Sequence, residues 1–222
     1  MTTISRRLER HVTARLTRQA LDRFLRSRAS DARTLDLGGG SGPYAHYFPN
    51  RLCMDVRPTP DVHVVGDAHR LPLRDGAFGV VLCTEVLEHL SEPRQALDEM
   101  FRVLGPGGRL LLTTRFLFPI HESPHDYYRY TRYGLEHLLE RFEIVTIEEE
   151  TDTMGTLGVL VQRLALQADV LGGRVGRLML HLIARLVACC GFILRREYGS
   201  SPRRREERTI MTSGYYAEGR RR

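Results

Sequence analysis

The stretch TLDLGGGSGPYAHYF, residues 34–48, decides the fold of this chain. A short apolar run carries one acid, Asp36; three consecutive glycines follow, and a fourth, Gly42, comes one serine later. A strand that ends in a glycine turn and leads into a helical start lays bare main chain at the strand tip. Glycine there permits the tight turn and lets a ligand touch the backbone. Such a crevice, outside the carboxyl end of the first strand of an open α/β sheet, suits a nucleotide-type ligand. The dinucleotide fingerprint fails, because the sixth position counted from Gly38 is Pro43. A phosphate-cradling loop needs Gly-Lys-Ser/Thr, and the chain has no lysine. What remains is D-x-G-x-G-x-G at Asp36, Gly38, Gly40 and Gly42.

Outward from that loop, short β-type runs alternate with helical stretches. Strands are predicted at Thr34–Leu37, Arg51–Val56, Val62–Val65, Val80–Cys83, Arg109–Thr114 and Phe142–Glu148, and helices near 43–49, 91–104 and 131–141. This alternation implies a mostly parallel sheet with helices on both faces. For helix 91–104, Ser91 is the expected cap, Pro93 sits in the first turn, and Gly105-Pro106-Gly107-Gly108 is the expected stop. Two further acids fall at strand tips. Asp55 closes RLCMDV, where a carboxylate can accept both hydroxyls of a ribose. Asp67 follows the third strand in VVGDAHRLPL, where it can accept from an exocyclic adenine amine. Any one of these aspartates alone could be a turn residue. All three, in order after the loop, select the cofactor reading.

These motifs resemble the class I S-adenosylmethionine-dependent methyltransferases. The likeness runs from about Thr34 to Phe142, through TLDLGGGSG, MDV, GDAHRLPLRDGAFGVVLCTEVLEHL, EMFRVLGPGGRLLLTT and HDYYRYTRYGLEHLLERF. It implies a Rossmann-like seven-stranded sheet with a reversed last strand, Thr209–Ala217. It implies that Asp36 and the backbone of Gly38, Gly40 and Gly42 hold the methionyl part of S-adenosyl-L-methionine. Asp55 would hold the ribose, Asp67 and Ala68 would face the adenine, and Thr84 and Glu85 would lie beside the sulfonium. Gly79 departs from the family, which has aspartate there. DNA amino-methylating relatives carry an Asn/Asp-Pro-Pro-aromatic run where this chain has Cys83-Thr84-Glu85, which argues against nucleic acid as a partner. The chemistry is an in-line displacement of methyl from sulfur, which asks the protein to align the acceptor and, for a hydroxyl, to remove its proton.

The loop FPIHESPHDYYRY after the fifth strand supplies the acceptor-side candidates. His125 is the expected general base, with His121 beside it, and Arg129 the expected anchor for an acidic group. In the alternative reading, Asp126 or Arg129 fixes the loop and Thr131 caps the next helix. In EVLEHL, Glu85, Glu88 and His89 share one face if helical. With His121 or His125 they could hold a divalent ion, but the cofactor-wall reading is preferred and no metal is assigned.

The ends of the chain differ in texture. Residues 1–30 read as a basic amphipathic helix over 3–28. The methyltransferase domain is expected over 31–154 plus 207–219, an apolar helical insert over 155–196 split at Gly172-Gly173, and a charged linker over 197–206. Arg174, Arg177, His181 and Arg185 mark one stripe of the insert, which favours lying in a membrane interface, or packing as a helical hairpin on the domain or in a homodimer seam, over spanning. The net charge of +6 is carried by arginine alone. Four cysteines show no CxxC spacing and no secretory leader is legible, so a cytoplasmic location, free or at the membrane periphery, is expected. The function expected is methyl transfer to a small-molecule, glycan or lipid-linked acceptor, with oxygen favoured. The alternative is a non-catalytic cofactor-binding subunit at a membrane.

Overall fold

The computed structural model describes residues 12–40, 42, 44–194 and 209–222. These form two compact units. One takes the described residues up to Leu21, Leu117–Pro119 and those from Glu149 to Ser213; the other takes Asp22–Phe116, Ile120–Glu148 and Gly214–Arg222.

The larger unit is built on a sheet of seven strands: β1 (Thr34–Leu37), β2 (Arg51–Asp55), β3 (Val64–Val65), β4 (Phe78–Thr84), β5 (Leu104–Arg115), β6 (Glu143–Glu149) and β7 (Gly214–Arg220). Their spatial order is β3-β2-β1-β4-β5-β7-β6. The neighbours from β3 to β5 pair in parallel, whereas β7 runs antiparallel to β5, with Leu112 opposite Ala217. β1 is buried along its whole length, as a central strand covered on both faces must be. The reversed last strand is found, shifted to Gly214–Arg220 from the expected Thr209–Ala217.

Helices cover both faces of the sheet. On one, α2 (Pro93–Val103) buries Leu97, Met100 and Val103, and α3 (Arg132–Leu138) buries Leu135, against Leu35, Leu37, Val81, Leu110 and Leu112. Alternation along β7 reaches the other face. The Tyr215 ring lies near Phe116, while the Tyr216 ring lies 5.0 Å from Phe24 of α1 (Arg18–Arg26). Gly79 now has a physical reason: a Cβ there would fall 2.9 Å from that of Ala32.

Several expectations are corrected. The helix expected over 43–49 is a single 3-10 turn, Ala45–Tyr47. The N-terminal helix, expected over 3–28, breaks at 14–17, and residues 1–11 lie outside the described ones. Ser91 is not the cap of α2. Glu92 holds that position without a side-chain bond, and Pro93, with its fixed φ, opens the helix. The glycine stop after α2 is taken into β5, whose first residue, Leu104, pairs with Phe78 before a register irregularity.

In the smaller unit, α4 (Thr153–Gln167) and α5 (Gly173–Cys189) form an antiparallel hairpin that turns at Gly172, φ +82°. Asp152 caps α4 by accepting from Gly155 N at 2.6 Å. The helices cross closely at Gly158, where a Cβ would sit 2.6 Å from the Ala184 carbonyl oxygen. Gln162, on α4, donates to Ala14 O and accepts from Leu16 N, and Arg185, on α5, donates to Val12 O and Ala14 O. These bonds pin residues 12–16 to the hairpin. The stretch Gly173–Ile193 spans 21 residues and contains an 18-residue window of mean hydropathy 1.6, 11% of it buried, so it is long and apolar enough by length and composition to cross a membrane. The linker expected over 197–206 lies outside the described residues.

Candidate functional site

The carboxyl ends of β1, β2, β4 and β5 lie side by side because the strands are parallel. β1 delivers Asp36 and then the glycines. Gly38 adopts φ +66° and its N–H donates to Met54 O at 2.8 Å, tying the turn to β2. A Cβ at Gly38 would fall 2.6 Å from Val86 Cγ2, and one at Gly39 only 2.0 Å from Asp36 Oδ2. Gly42 is closed in the same way, 2.8 Å from Gly39 O. Gly40, at φ +42°, differs: a Cβ there meets no atom of the described residues within 4 Å, its chain neighbours apart. The loop is therefore folded over Asp36 on its inner side and open at Gly40, which is where a ligand can meet the main chain.

Asp36 is buried, and Oδ2 accepts from Arg51 Nη1 at 2.6 Å. Burial pushes its pKa up, and the Arg51 guanidinium opposes that shift. The sequence reading missed Arg51, whose place at the start of β2 carries no motif. Asp55 closes β2, and its Oδ1 accepts from Arg57 N at 2.9 Å. Asp67 accepts from both His69 N, at 2.9 Å, and His69 Nδ1, at 2.6 Å, and the backbone bond chiefly holds its pKa below the usual carboxylate range. Ala68 is buried in the core beside it.

Thr84 ends β4 opposite Thr113 of β5. Glu85 then takes φ +57°, a left-handed conformation rare for a residue with a side chain. Its N–H donates to Thr113 O and Oγ1, at 3.0 and 3.1 Å, and its carboxylate pairs with Arg115, which is buried at the end of β5. The face shared by Glu85, Glu88 and His89 does not form. Residues 87–89 are a 3-10 turn rather than an α-helix, and Arg115 draws Glu85 aside. Glu88 is fully buried; its Oε2 accepts from Thr114 Oγ1 at 2.8 Å, and burial pushes its pKa up. Thr113, Thr114 and Arg115 were missed by the sequence reading. The rule that found Asp55 and Asp67, polar residues at strand tips, would have found them.

The loop after β5 is stitched to this turn. Tyr127 N and Tyr128 N donate to Glu88 O, at 2.9 and 3.2 Å, and Tyr130 OH donates to Leu87 O. Asp126 sits at its centre. It accepts a bidentate pair from Arg129, at 2.6 and 2.7 Å, and His121 N at 2.8 Å. The Arg129 bonds chiefly hold the Asp126 pKa down, at about 2. The guanidinium expected to anchor an acidic substrate is thus engaged by Asp126 and Tyr128 O, and braces the loop. Thr131 caps α3, accepting from Gly134 N at 3.1 Å. His125 is exposed, with Nδ1 3.1 Å from Tyr127 OH, and its carbonyl meets His89 Nδ1 at 2.6 Å. His121 is half-buried, with its ring edge-on to His89 and centroids 4.7 Å apart.

Residues 35–112 match a family model described as a methyltransferase domain. Among curated proteins, the chain is 35% identical over 102 residues to a demethylmenaquinone methyltransferase of Paenarthrobacter aurescens, covering 40% of this chain and 40% of that protein. It is 29% identical over 140 residues to a ubiquinone/menaquinone biosynthesis C-methyltransferase of Roseobacter denitrificans, covering 52% of this chain and 56% of that one. The chain thus spans about half the length of the curated relatives it matches. In fold it is similar to the 1,6-didemethyltoxoflavin-N1-methyltransferase of Burkholderia thailandensis, solved with S-adenosylhomocysteine, at TM-score 0.55 and 14% identity, covering 93% of this chain and 78% of that one.

Proposed function

We propose, from the premise that residues 35–112 are an S-adenosylmethionine-dependent methyltransferase domain, that this chain transfers the methyl group to an oxygen of a lipid-linked small molecule. The observation that carries the reading is the glycine loop itself, closed by Val86 at Gly38, by Asp36 at Gly39 and by its own main chain at Gly42, and open at Gly40. In this reading the methionyl tail lies on that open main chain above Asp36. Asp55 accepts the ribose hydroxyls, Asp67 and Ala68 flank the adenine, and Thr84 and Glu85 wall the sulfonium. The cofactor supplies an already activated methyl, so the protein's task is alignment and proton removal. His125 is the proposed base, with its ring on the Tyr127 hydroxyl; Arg129 positions it by holding Asp126, at the centre of the loop.

The apolar outer side of α5 supports a lipid-linked acceptor. Met179, Leu182 and Leu186 are exposed there, and an amphipathic helix with arginines can lie in an anionic interface. Incubating the full chain with methyl-labelled S-adenosylmethionine and a membrane lipid extract tests this. Label is expected in the organic phase. Label confined to water-soluble acceptors rejects the lipid-linked part, and no transfer to any acceptor rejects the enzyme. Flotation with anionic liposomes should weaken in a Met179→Glu/Leu186→Glu variant and survive in the unaltered chain.

A further inference from the structure

Glu88 is a carboxylate with half its bonding unspent. Its Oε1 is buried and has no hydrogen-bond partner among the described residues, while Oε2 accepts from the Thr114 hydroxyl. A buried carboxylate oxygen without a partner is costly, and native structures rarely keep one without a cation or water to meet it. Two imidazoles stand against it. One ligand atom from each of Glu88, His89 and His121 lies within 4.8 Å of the other two.

His89 also has the outer contact that metal-bound histidines have. The His89 Nδ1 lies 2.6 Å from the His125 carbonyl oxygen, which can only accept. Nδ1 therefore carries the hydrogen, and Nε2 keeps its lone pair. The His121 Nδ1 lies 3.5 Å from Asp126 Oδ2, and Asp126 is itself clamped by Arg129. The carbonyl behind His89 fixes that ring, while the Asp126 carboxylate lies near His121 outside hydrogen-bond reach. The turn that bears Glu88 and His89 and the loop that bears His121 are joined by the two tyrosine amides bonded to Glu88 O.

We propose that Glu88, His89 and His121 form an open three-ligand site for a zinc-class divalent cation. The donor set, two imidazoles and one carboxylate, suits zinc and its first-row neighbours rather than calcium or magnesium. Tetrahedral zinc at about 2.0–2.1 Å from each ligand sets the ligands roughly 3.3 Å apart, so the two half-buried imidazoles must rotate inward by about an ångström. A fourth position faces outward and can take an oxygen. Resting on the methyltransferase reading, that oxygen is the acceptor hydroxyl. Bound there it ionises near neutral pH, its proton passes to His125, and its electron pair forms the carbon–oxygen bond as the carbon–sulfur pair returns to sulfur. Glu85 takes no part, because Arg115 holds it.

Calorimetric titration of untagged, chelator-stripped full-length protein with zinc chloride, and separately with manganese chloride, tests the site. One equivalent is expected to bind with a Kd of about 10 µM or tighter. His121→Ala should weaken uptake about tenfold or more, and so should Glu88→Gln. His137→Ala, at an exposed residue of α3, should leave it unchanged. No uptake by the unaltered protein overturns the proposal, and so does uptake undiminished in His121→Ala. His121→Ala keeps the test usable if Glu88→Gln fails to fold. Uptake of S-adenosylmethionine, measured on the same samples, fails only if the cofactor reading is wrong, so the two failures are distinguishable.

Discussion

The loop after β1 and the loop after β5 open on the same edge of the sheet but are built by opposite means. The first is shaped by missing side chains: three positions where a Cβ would strike the protein, and one where it would strike nothing among the described residues. The second is shaped by side chains that grip one another, with Asp126 at the hub of Arg129 and His121. A backbone cradle tolerates almost no substitution, because there is no flexible group to move aside. A side-chain brace fails in proportion to the bond removed.

That contrast is broken most directly at Gly39. Gly39→Val drives a side chain into Asp36 and should lower S-adenosylmethionine affinity at least about 100-fold, or about 2.7 kcal/mol, measured by calorimetry on protein whose circular dichroism is native. Retained affinity would mean the loop yields as side chains do. Asp126→Asn comes next. The Asp126 pKa in the folded state is about 2, below roughly 3.9 in the unfolded chain. Its ionised form therefore contributes stability above pH 4, and the contribution is lost as pH falls through 2. The variant should lose about 2 kcal/mol at pH 7, and the gap from the unaltered protein should shrink between pH 4 and 2 in urea titrations.

Asp55→Asn sharpens the comparison from the cofactor side. It should weaken S-adenosylmethionine binding about tenfold, by about 1.4 kcal/mol, with unfolding midpoints unchanged, since among the described residues the Asp55 carboxylate bonds only the local Arg57 turn. Smallest is Thr131→Ala, which removes the cap of α3 and should cost about 1 kcal/mol in thermal or urea unfolding.

How far the sequence could be read follows the same division. The glycine spacing and the strand-tip acids were legible because backbone constraints leave residue types no alternative: Thr34–Leu37 came out to the residue. The helix after the loop was not, because the apolar letters of 43–49 serve equally for a 3-10 turn that buries Phe48. EVLEHL misled for a related reason. Its helical spacing is real in the sequence, but Thr113 and Arg115, nearly thirty residues on, hold Glu85 at a positive φ that no local pattern announces. Arg129 showed its charge and not its partner, and only the closure of the loop joins it to Asp126.

The place of β7 between β5 and β6 has a consequence for how the molecule is made. While the ribosome has delivered β6 but not yet Gly214, the hydrogen-bonding rims of both strands stand bare, with a gap between them one strand wide. Sheet rims of that kind recruit strands from other molecules. Any copy cut short before Gly214 keeps that gap for life and is expected to be collected in inclusion bodies, whereas cuts after Arg220 leave the sheet sealed.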